Sequence, residues 1–403
     1  MSAGSEASDK TSIILSGWHG HDNAGDDATL IQFVAELTRG RDDRNVTVLS
    51  ELPERVIDAF GVDSTFHYET VGLHGLTHLL KGRWTKHLAL LRGSKLFALG
   101  GGSLLRDNTT WHNLFRVVDE IFWARLFGVP VALYAIGVGP FRSWLGKLVI
   151  REAAKCCALI TVREERSKGL LVGLGIAPER VHVVADPAFL LQARAMEGER
   201  AKEEAELLEL ASKPKTVGLF PSLGFIEDGT DLSQVPRLAA GLDALHEEHG
   251  LHFVSLPMRV LPDSGEIDDV YVAGLIRDKM RHPDALTIHP RMLRADELKW
   301  LTSRFLFNLT IRLHGMIFSL SEKTPVVAIH YEPKVFNVLT SFGLERLSVD
   351  MGEGMEERIA NVTRDVLTNR DTLVQHIEER LDENERSARR TFELMEEVLA
   401  SAK

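Results

Sequence analysis

Cysteine is nearly absent from this 403-residue chain: there are two, Cys156 and Cys157, side by side. Adjacent cysteines rarely bridge to each other and no CxxC spacing exists, so neither a disulfide framework nor a thiolate zinc site is expected. A reduced, buried pair in a cytoplasmic protein is the expectation. Long apolar runs are also missing. None approaches the roughly 20 residues that a membrane-spanning helix needs. The opening MSAGSEASDK is polar and lacks the apolar core of a secretory signal. An excess of positive charge is missing too: 47 Lys and Arg stand against 58 Asp and Glu, a net charge of −11. That excludes wholesale nucleic-acid binding and leaves room for a local cationic site.

What is present is an ordinary globular composition, 44% hydrophobic and 26% charged, long enough for about two domains. Apolar strand-like runs alternate with helical patterns: TSIILS (11–16), NVTVLS (45–50), KLFALG (95–100), PVALYAIGV (130–138), ALITVR (158–163) and VHVVAD (181–186). Continuous apolar runs of this kind suit a parallel sheet covered on both faces. Between them, WHNLFRVVDEIFWARLFG (111–128) spaces Leu114, Val117, Val118, Ile121 and Phe122 as one expected buried face, ended by Gly128 and Pro130. A charged, helix-forming stretch follows, and the rhythm restarts at TVGLFPS (216–222). The expected architecture is α/β, with two Rossmann-like doubly wound domains facing a cleft and a long C-terminal helix. The expected boundaries are 11–195, a linker helix at 196–215, a second domain at 216–370, and the terminal helix at 371–403.

Ligands in such sheets bind outside the carboxyl ends of the strands, so the loops there are the candidates. SGWHGHDNAGDDATL (16–30) spaces Gly17, Gly20 and Gly25 as GxxGxxxxG, neither a dinucleotide fingerprint nor a P-loop. By spacing alone it is either an anion- or ligand-approaching loop or an ordinary turn with Asp26 and Asp27 favoured in a first helical turn. A metal cluster of His19, His21, Asp22 and Asp26 is the weaker alternative. ALGGGSLLRDN (98–108) puts Gly101, Gly102 and Ser103 directly after a buried strand, a placement for close ligand approach. Arg163 ends another strand and is an anion-binding candidate, whereas Glu165 and Arg166 suit a helix surface. Asp186 ends a strand before Pro187 and either caps a turn or acts chemically. The sharpest segment is NLTIRLHGMIFSL followed by PVVAIHYEPK, which puts Arg312, His314 and Lys334 at the ends of two consecutive strands. An Arg, a His and a Lys at helix N-termini make a site for a multiply charged anion with an acid/base attached.

Read in order, these segments resemble the polysaccharide pyruvyl transferase family. Gly17, Gly20, Asn23, Gly25 and Asp26 fall on that family's N-terminal G-x-x-G-x-x-N-x-G-D-E stretch, with Asp27 where glutamate is common. GGGSLLRD, IGVGP, TVREERS, ADPAF and IRLHGMIFSL…TPVVAIHYEPKV continue the match over about residues 15–335. The resemblance implies a GT-B-like fold and transfer of the pyruvyl group of phosphoenolpyruvate onto two sugar hydroxyls, leaving a cyclic ketal. It implies Arg163, Arg312 and Lys334 as phosphoenolpyruvate ligands and His314 as general acid or phosphate ligand. Asp26 and Asp186 are the base candidates. Gly17, Gly20, Asn23, Gly25, Asp26, Gly101, Gly102 and Ser103 would lie on the acceptor side. His19 and His21 stand outside the family pattern. The chemistry calls for no metal and no resident coenzyme, phosphoenolpyruvate being a consumed co-substrate. The expected partners are that co-substrate and a sugar, glycan or lipid-linked saccharide, with no nucleic acid. Expected localisation is cytoplasmic, with peripheral contact at the inner membrane face if the acceptor is lipid-linked. A nucleotide-sugar GT-B glycosyltransferase and a non-catalytic glycan-binding protein on the same fold are the alternatives.

Overall fold

The computed structural model describes residues 10–67, 83–107, 111–222, 225–226, 229–230, 232–261, 267–330 and 333–402. Among the described residues the chain forms two compact units. The first holds residues up to His21, then Thr29–Leu190 and Arg386–Lys403; the second holds Asp22–Ala28 and Leu191–Glu385.

The first unit is built on a seven-stranded sheet. Its strands are β1 (Thr11–Ser16), β2 (Arg44–Ser50), β3 (Asp63–Phe66), β4 (Ser94–Gly100), β5 (Val131–Ile136), β6 (Leu159–Val162) and β7 (Val181–Val183), in the order 3-2-1-4-5-6-7. Every pairing is parallel. β5 is buried along its whole length, as a strand must be when helices cover both faces. The core beneath the helices is largely aliphatic, with Phe97 among Leu99, Leu114, Val117, Ile121, Leu133 and Ile150, all almost fully shielded. The second unit carries β8 (Thr216–Phe220), a short hairpin of β9 (Phe225–Ile226) and β10 (Gly229–Thr230), then β11 (His252–Ser255), β12 (Leu286–Ile288), β13 (Asn308–Thr310), β14 (Val326–His330) and β15 (Ser348–Asp350). Its main sheet runs 12-11-8-13-14-15, again all parallel.

Both orders are the doubly wound pattern in which the strand sequence reverses beside the first strand. The reversal falls between β1 and β4 in one sheet and between β8 and β13 in the other. The opening glycine segment follows β1 and the GGGS loop follows β4, whereas RLHG follows β13. Three of the candidate loops thus lie at the switch points of their own sheets.

The terminal helix, Arg370–Ser401, serves each unit in turn. In the second unit Arg370 Nε donates to Leu306 O at 3.0 Å and Ser341 Oγ donates to Asn384 Oδ1 at 2.8 Å. In the first, Arg44 grips Glu396 through Nη1 and Nη2, at 2.5 and 2.8 Å, and Ser387 Oγ accepts the Ala185 N–H at 2.9 Å. The stretch 196–215 contains two short helices, Gly198–Glu203 and Ala205–Ser212.

Two expectations about burial need correction. Cys157 is buried in the core, its thiol pushed up to about 12 by burial, and donates to Ala153 O. Cys156 is exposed. It is the last residue of the helix Trp144–Cys156, whereas Cys157 is its extended C-cap and turns into the core, so the two adjacent thiols differ in burial. Phe122 is 57% exposed, whereas Leu114, Val117 and Ile121 are buried. The helix Trp111–Leu126 buries a narrower stripe than its apolar spacing suggested.

Candidate active site

In the second unit the site grows from the end of β13. Thr310 Oγ1 donates to Arg312 O at 2.7 Å, turning the chain sharply into the helix Leu313–Ser321. Arg312 is the N-cap, in extended conformation, so the first N–H groups of that helix point out from the strand end, where an anion is favoured. The Arg312 guanidinium is paired with Asp269, through Nη2 to Oδ1 and through Nε to Oδ2 at 3.2 Å. Asp269 is 1% exposed and does more than neutralise charge. Its Oδ2 also accepts the N–H of Met258 and of Arg259, each at 3.0 Å. One buried carboxylate therefore fixes the arginine and the loop after β11 together. Sequence reading missed Asp269. The pair DD at 268–269 looks like ordinary helix capping, and Asp268 does that work by accepting the Tyr271 N–H.

His314 stands in the first turn of the same helix, half-buried. Against it lies the segment Asp22–Ala28, which counts with the second unit. Asn23 bridges to Arg259, and the Ala24 N–H donates to Met258 O at 2.9 Å. Asn23 Oδ1 accepts the Gly25 N–H at 3.0 Å, capping the helix Ala24–Thr38. Gly25 is in van der Waals contact with the imidazole: a Cβ there would come within 1.9 Å of His314 Nδ1. Asp26 is half-buried in the first helical turn. Its neighbour Asp27 is buried, and burial first, then the Asp26 charge, pushes its carboxyl up to about 7. Lys334 begins the helix Pro333–Phe342 directly after β14, but its side chain lies outside the described residues.

In the first unit the loops after five strands, β1, β4, β5, β6 and β7, supply the candidate residues. Gly17, after β1, packs so closely on β4 that a Cβ would meet Gly100 O at 1.9 Å; Gly20 follows at φ +84°. Gly101 and Gly102 are left-handed, at φ +78° and +82°, a conformation that favours glycine. They bend the loop so that Gly102 O accepts the Gly137 N–H at 3.1 Å. Ser103 and Arg163 both lie against Gly137. Arg163 Nη1 donates to Asp186 Oδ2 at 2.6 Å, and Asp186 Oδ1 accepts the Ala188 N–H at 3.0 Å. Asp186 is 3% exposed. Glu165 and Arg166 are exposed on the helix Glu165–Gly173.

A second polar cluster, unannounced in the sequence, sits under the opening segment. Ser16 Oγ donates to Glu120 Oε2 at 2.6 Å, His67 Nδ1 lies 2.8 Å from Glu120 Oε1, and Arg116 Nη1 reaches both His67 and Glu120. Burial raises the Glu120 carboxyl, but Arg116 and His67 outweigh it and hold it low; burial, with Arg116, lowers His67. Arg116 also lies over the Trp18 ring at 5.8 Å, and His21 meets that ring edge-on at 5.2 Å. His19 is fully buried. Among the described residues no group of three or more His, Cys, Asp and Glu is arranged to hold a metal ion, and no helix is long and apolar enough to cross a membrane.

Solved structures share this architecture. The chain superposes on UDP-GlcNAc 2-epimerase of Neisseria meningitidis bound to UDP-GlcNAc with a TM-score of 0.64, over 97% of this chain and 100% of that one, at 12% identity. A putative UDP-N-acetylglucosamine 2-epimerase of Listeria monocytogenes gives 0.66 over 98% of both, at 10% identity. Anabaena Alr3699/HepE in complex with UDP gives 0.63 over 97% and 100%, at 12%. These likenesses show the fold, two Rossmann-like units of the GT-B type. Among curated relatives, the amylovoran biosynthesis protein AmsJ of Erwinia amylovora is 24% identical over 391 residues, covering 91% of this chain and 94% of that protein. The polysaccharide pyruvyl transferase family model matches residues 23–333, a span that starts at the Asn23 cap, runs through the glycine loop, Arg163, Asp186 and the Arg312–His314 turn, and so places this chain in the polysaccharide pyruvyl transferase family.

Proposed function

We propose that this transferase moves the pyruvyl group of phosphoenolpyruvate onto two hydroxyls of a glycan or lipid-linked sugar, forming a cyclic ketal and releasing phosphate. The observation that carries the reading is the turn after β13. There a guanidinium locked by buried Asp269, a helix N-terminus and the His314 imidazole fall within three residues of chain. A carboxylate and a phosphate on one small molecule call for such a site, because arginine binds planar oxyanions bidentately and the helix end accepts the remaining charge.

In the proposed reaction His314 delivers a proton to the methylene carbon of phosphoenolpyruvate, or binds the phosphate as it leaves. Positive character builds at the adjacent carbon, one sugar hydroxyl adds there and loses its proton, and the second hydroxyl replaces phosphate. Arg312 and Lys334 hold the anion. Gly25 admits the imidazole, which supports a place for the first turn of the helix Ala24–Thr38 at the reacting centre. Asp26 on that turn is the candidate base. Both Asp186 oxygens are engaged, so we assign Asp186 to holding Arg163. Ser103, Gly101 and Gly102 are proposed to meet the acceptor, as are Gly17 and Gly20, with Trp18 offering an aromatic face to a sugar ring.

The test is incubation with phosphoenolpyruvate and candidate glycans, following phosphate release and the mass gain of one pyruvyl ketal. Consumption of a nucleotide-sugar in place of phosphoenolpyruvate would reject this reading in favour of a glycosyltransferase.

A further inference from the structure

Phe122 is not alone on the outside of the first unit. Phe115, Phe122 and Leu126 are 39%, 57% and 60% exposed. At spacings of seven and four they form one stripe along the helix Trp111–Leu126. The helix Trp144–Cys156 packs beside it and shows Trp144, Leu145 and Leu148, at 77%, 40% and 38% exposure. Single exposed apolar residues need no explanation, but six large ones on two neighbouring helices do.

The charge around them is net positive, although Arg151 and Lys155 share Glu152 at 2.7 and 3.1 Å. From Phe141 to Cys156 the chain carries Arg142, Lys147, Arg151 and Lys155 against Glu152 alone, a local balance of +3 in a protein of net charge −11. Arg151 and Lys155 follow Trp144 at intervals of seven and eleven, so cations and indole share one face. On the neighbouring helix Arg125 offsets Asp119. The backbone just before Trp144 is anchored. Asp107, in the loop after β4, accepts the N–H groups of Arg142 and Ser143 and the Ser143 hydroxyl, and Ser143 caps the helix that Trp144 begins. The start of the helix, where Trp144 stands, is therefore tied to the loop that follows β4.

We propose that this face is a peripheral docking surface for an anionic lipid bilayer. Aromatic and leucine side chains enter the interfacial layer, while the flanking lysines and arginines meet the negative headgroups. A second copy of the chain is the poorer occupant, because a two-fold contact through this face would bring the same cations together. Docking would hold the acceptor-side loops at the lipid surface. That use rests on the proposed acceptor chemistry, whereas the docking does not.

The full chain is sedimented with vesicles of phosphatidylcholine alone and of phosphatidylcholine with phosphatidylglycerol, without substrate, so failure here is separate from failure of the enzymatic reading. The wild type should pellet with the anionic vesicles and be released by high salt. Each cation at such a surface is worth about fivefold in partition, so Lys147→Glu with Arg151→Glu should lower binding by roughly 25-fold or more. Phe122→Ser with Trp144→Ser should weaken it comparably, with circular dichroism and thermal melting unchanged. Equal binding to both vesicle types, no binding, or variants that bind like the wild type would overturn the proposal. So would a wild-type dimer that Trp144→Ser dissociates and that ignores vesicles.

Discussion

The imidazole of His314 fills the space that a side chain on Gly25 would need. The two residues are 289 positions apart in sequence, yet a Cβ on Gly25 would fall 1.9 Å from His314 Nδ1 and 2.4 Å from its Cγ. Gly25 lies inside a helix, where alanine would ordinarily add about 1 kcal/mol of stability. Here the added methyl must evict the histidine. Gly25→Ala is expected to keep the fold and to lower turnover about a hundredfold or more, in line with the cost of misplacing a reacting group by an ångström. His314→Ala should do the same. Full turnover in Gly25→Ala, measured by phosphate release, would remove the histidine's position from the mechanism.

Much of the fold is legible in the sequence because β4, β5, β8 and β13 are apolar runs bounded by glycine, proline or charge. β3 (DSTF) and β15 (SVD) are too short and too polar to stand out. The site divides in the same way. Arg312, His314 and Arg163 are visible as charges following apolar strands. Asp269 is not, because its role depends on a partner 43 positions away. The cluster of Ser16, His67, Arg116 and Glu120 likewise joins residues up to 104 positions apart. Sequence periodicity reports which face is apolar. It says nothing about which polar groups meet across the fold.

Asp269 is the support on which Arg312 depends. Asp269→Asn keeps an oxygen for the Met258 and Arg259 amides but removes the charge that grips the guanidinium. Removing one partner of a buried ion pair costs about 3–5 kcal/mol; Arg312 is 22% exposed, so the expected loss is about 2–3 kcal/mol by urea unfolding. The KM for phosphoenolpyruvate should rise about tenfold with a smaller change in kcat if the arginine has the proposed anion-binding role. Unchanged KM together with unchanged stability would show that the pair does neither job.

Asp27 makes stability depend on pH in an unusual direction. Its carboxyl titrates at about 7 in the folded protein against 3.8 when unperturbed. Between those values the folded state holds a proton that the unfolded state has lost, so this group destabilises the fold increasingly as pH rises from about 4 to about 7. Above that the cost is fully present, at most about 4 kcal/mol. Asp27→Asn should therefore be more stable than the wild type above pH 7, with the advantage fading toward pH 4. Unfolding free energies of the two proteins across that range give the difference directly. A flat difference would mean that Asp27 is ionised in the fold.

Arg163 and Asp186 test whether a strand-end ion pair in the first unit acts as a unit. The contact is 2.6 Å long between a largely buried guanidinium and a carboxylate 2% exposed in its side chain. Arg163→Ala removes the guanidinium that pairs with Asp186, and Asp186→Ala removes the carboxylate that pairs with Arg163, so each single change should cost about 3 kcal/mol. If the residues serve each other, the double variant should cost little more than either single one, a coupling that a double-mutant cycle reads out. Kinetics separate this from direct chemistry. A positioning role for Asp186 predicts that Asp186→Asn, which still accepts hydrogen bonds from Arg163 and Ala188, retains most of kcat. A general base there predicts that the same change abolishes kcat at every pH while Arg163→Ala only raises KM.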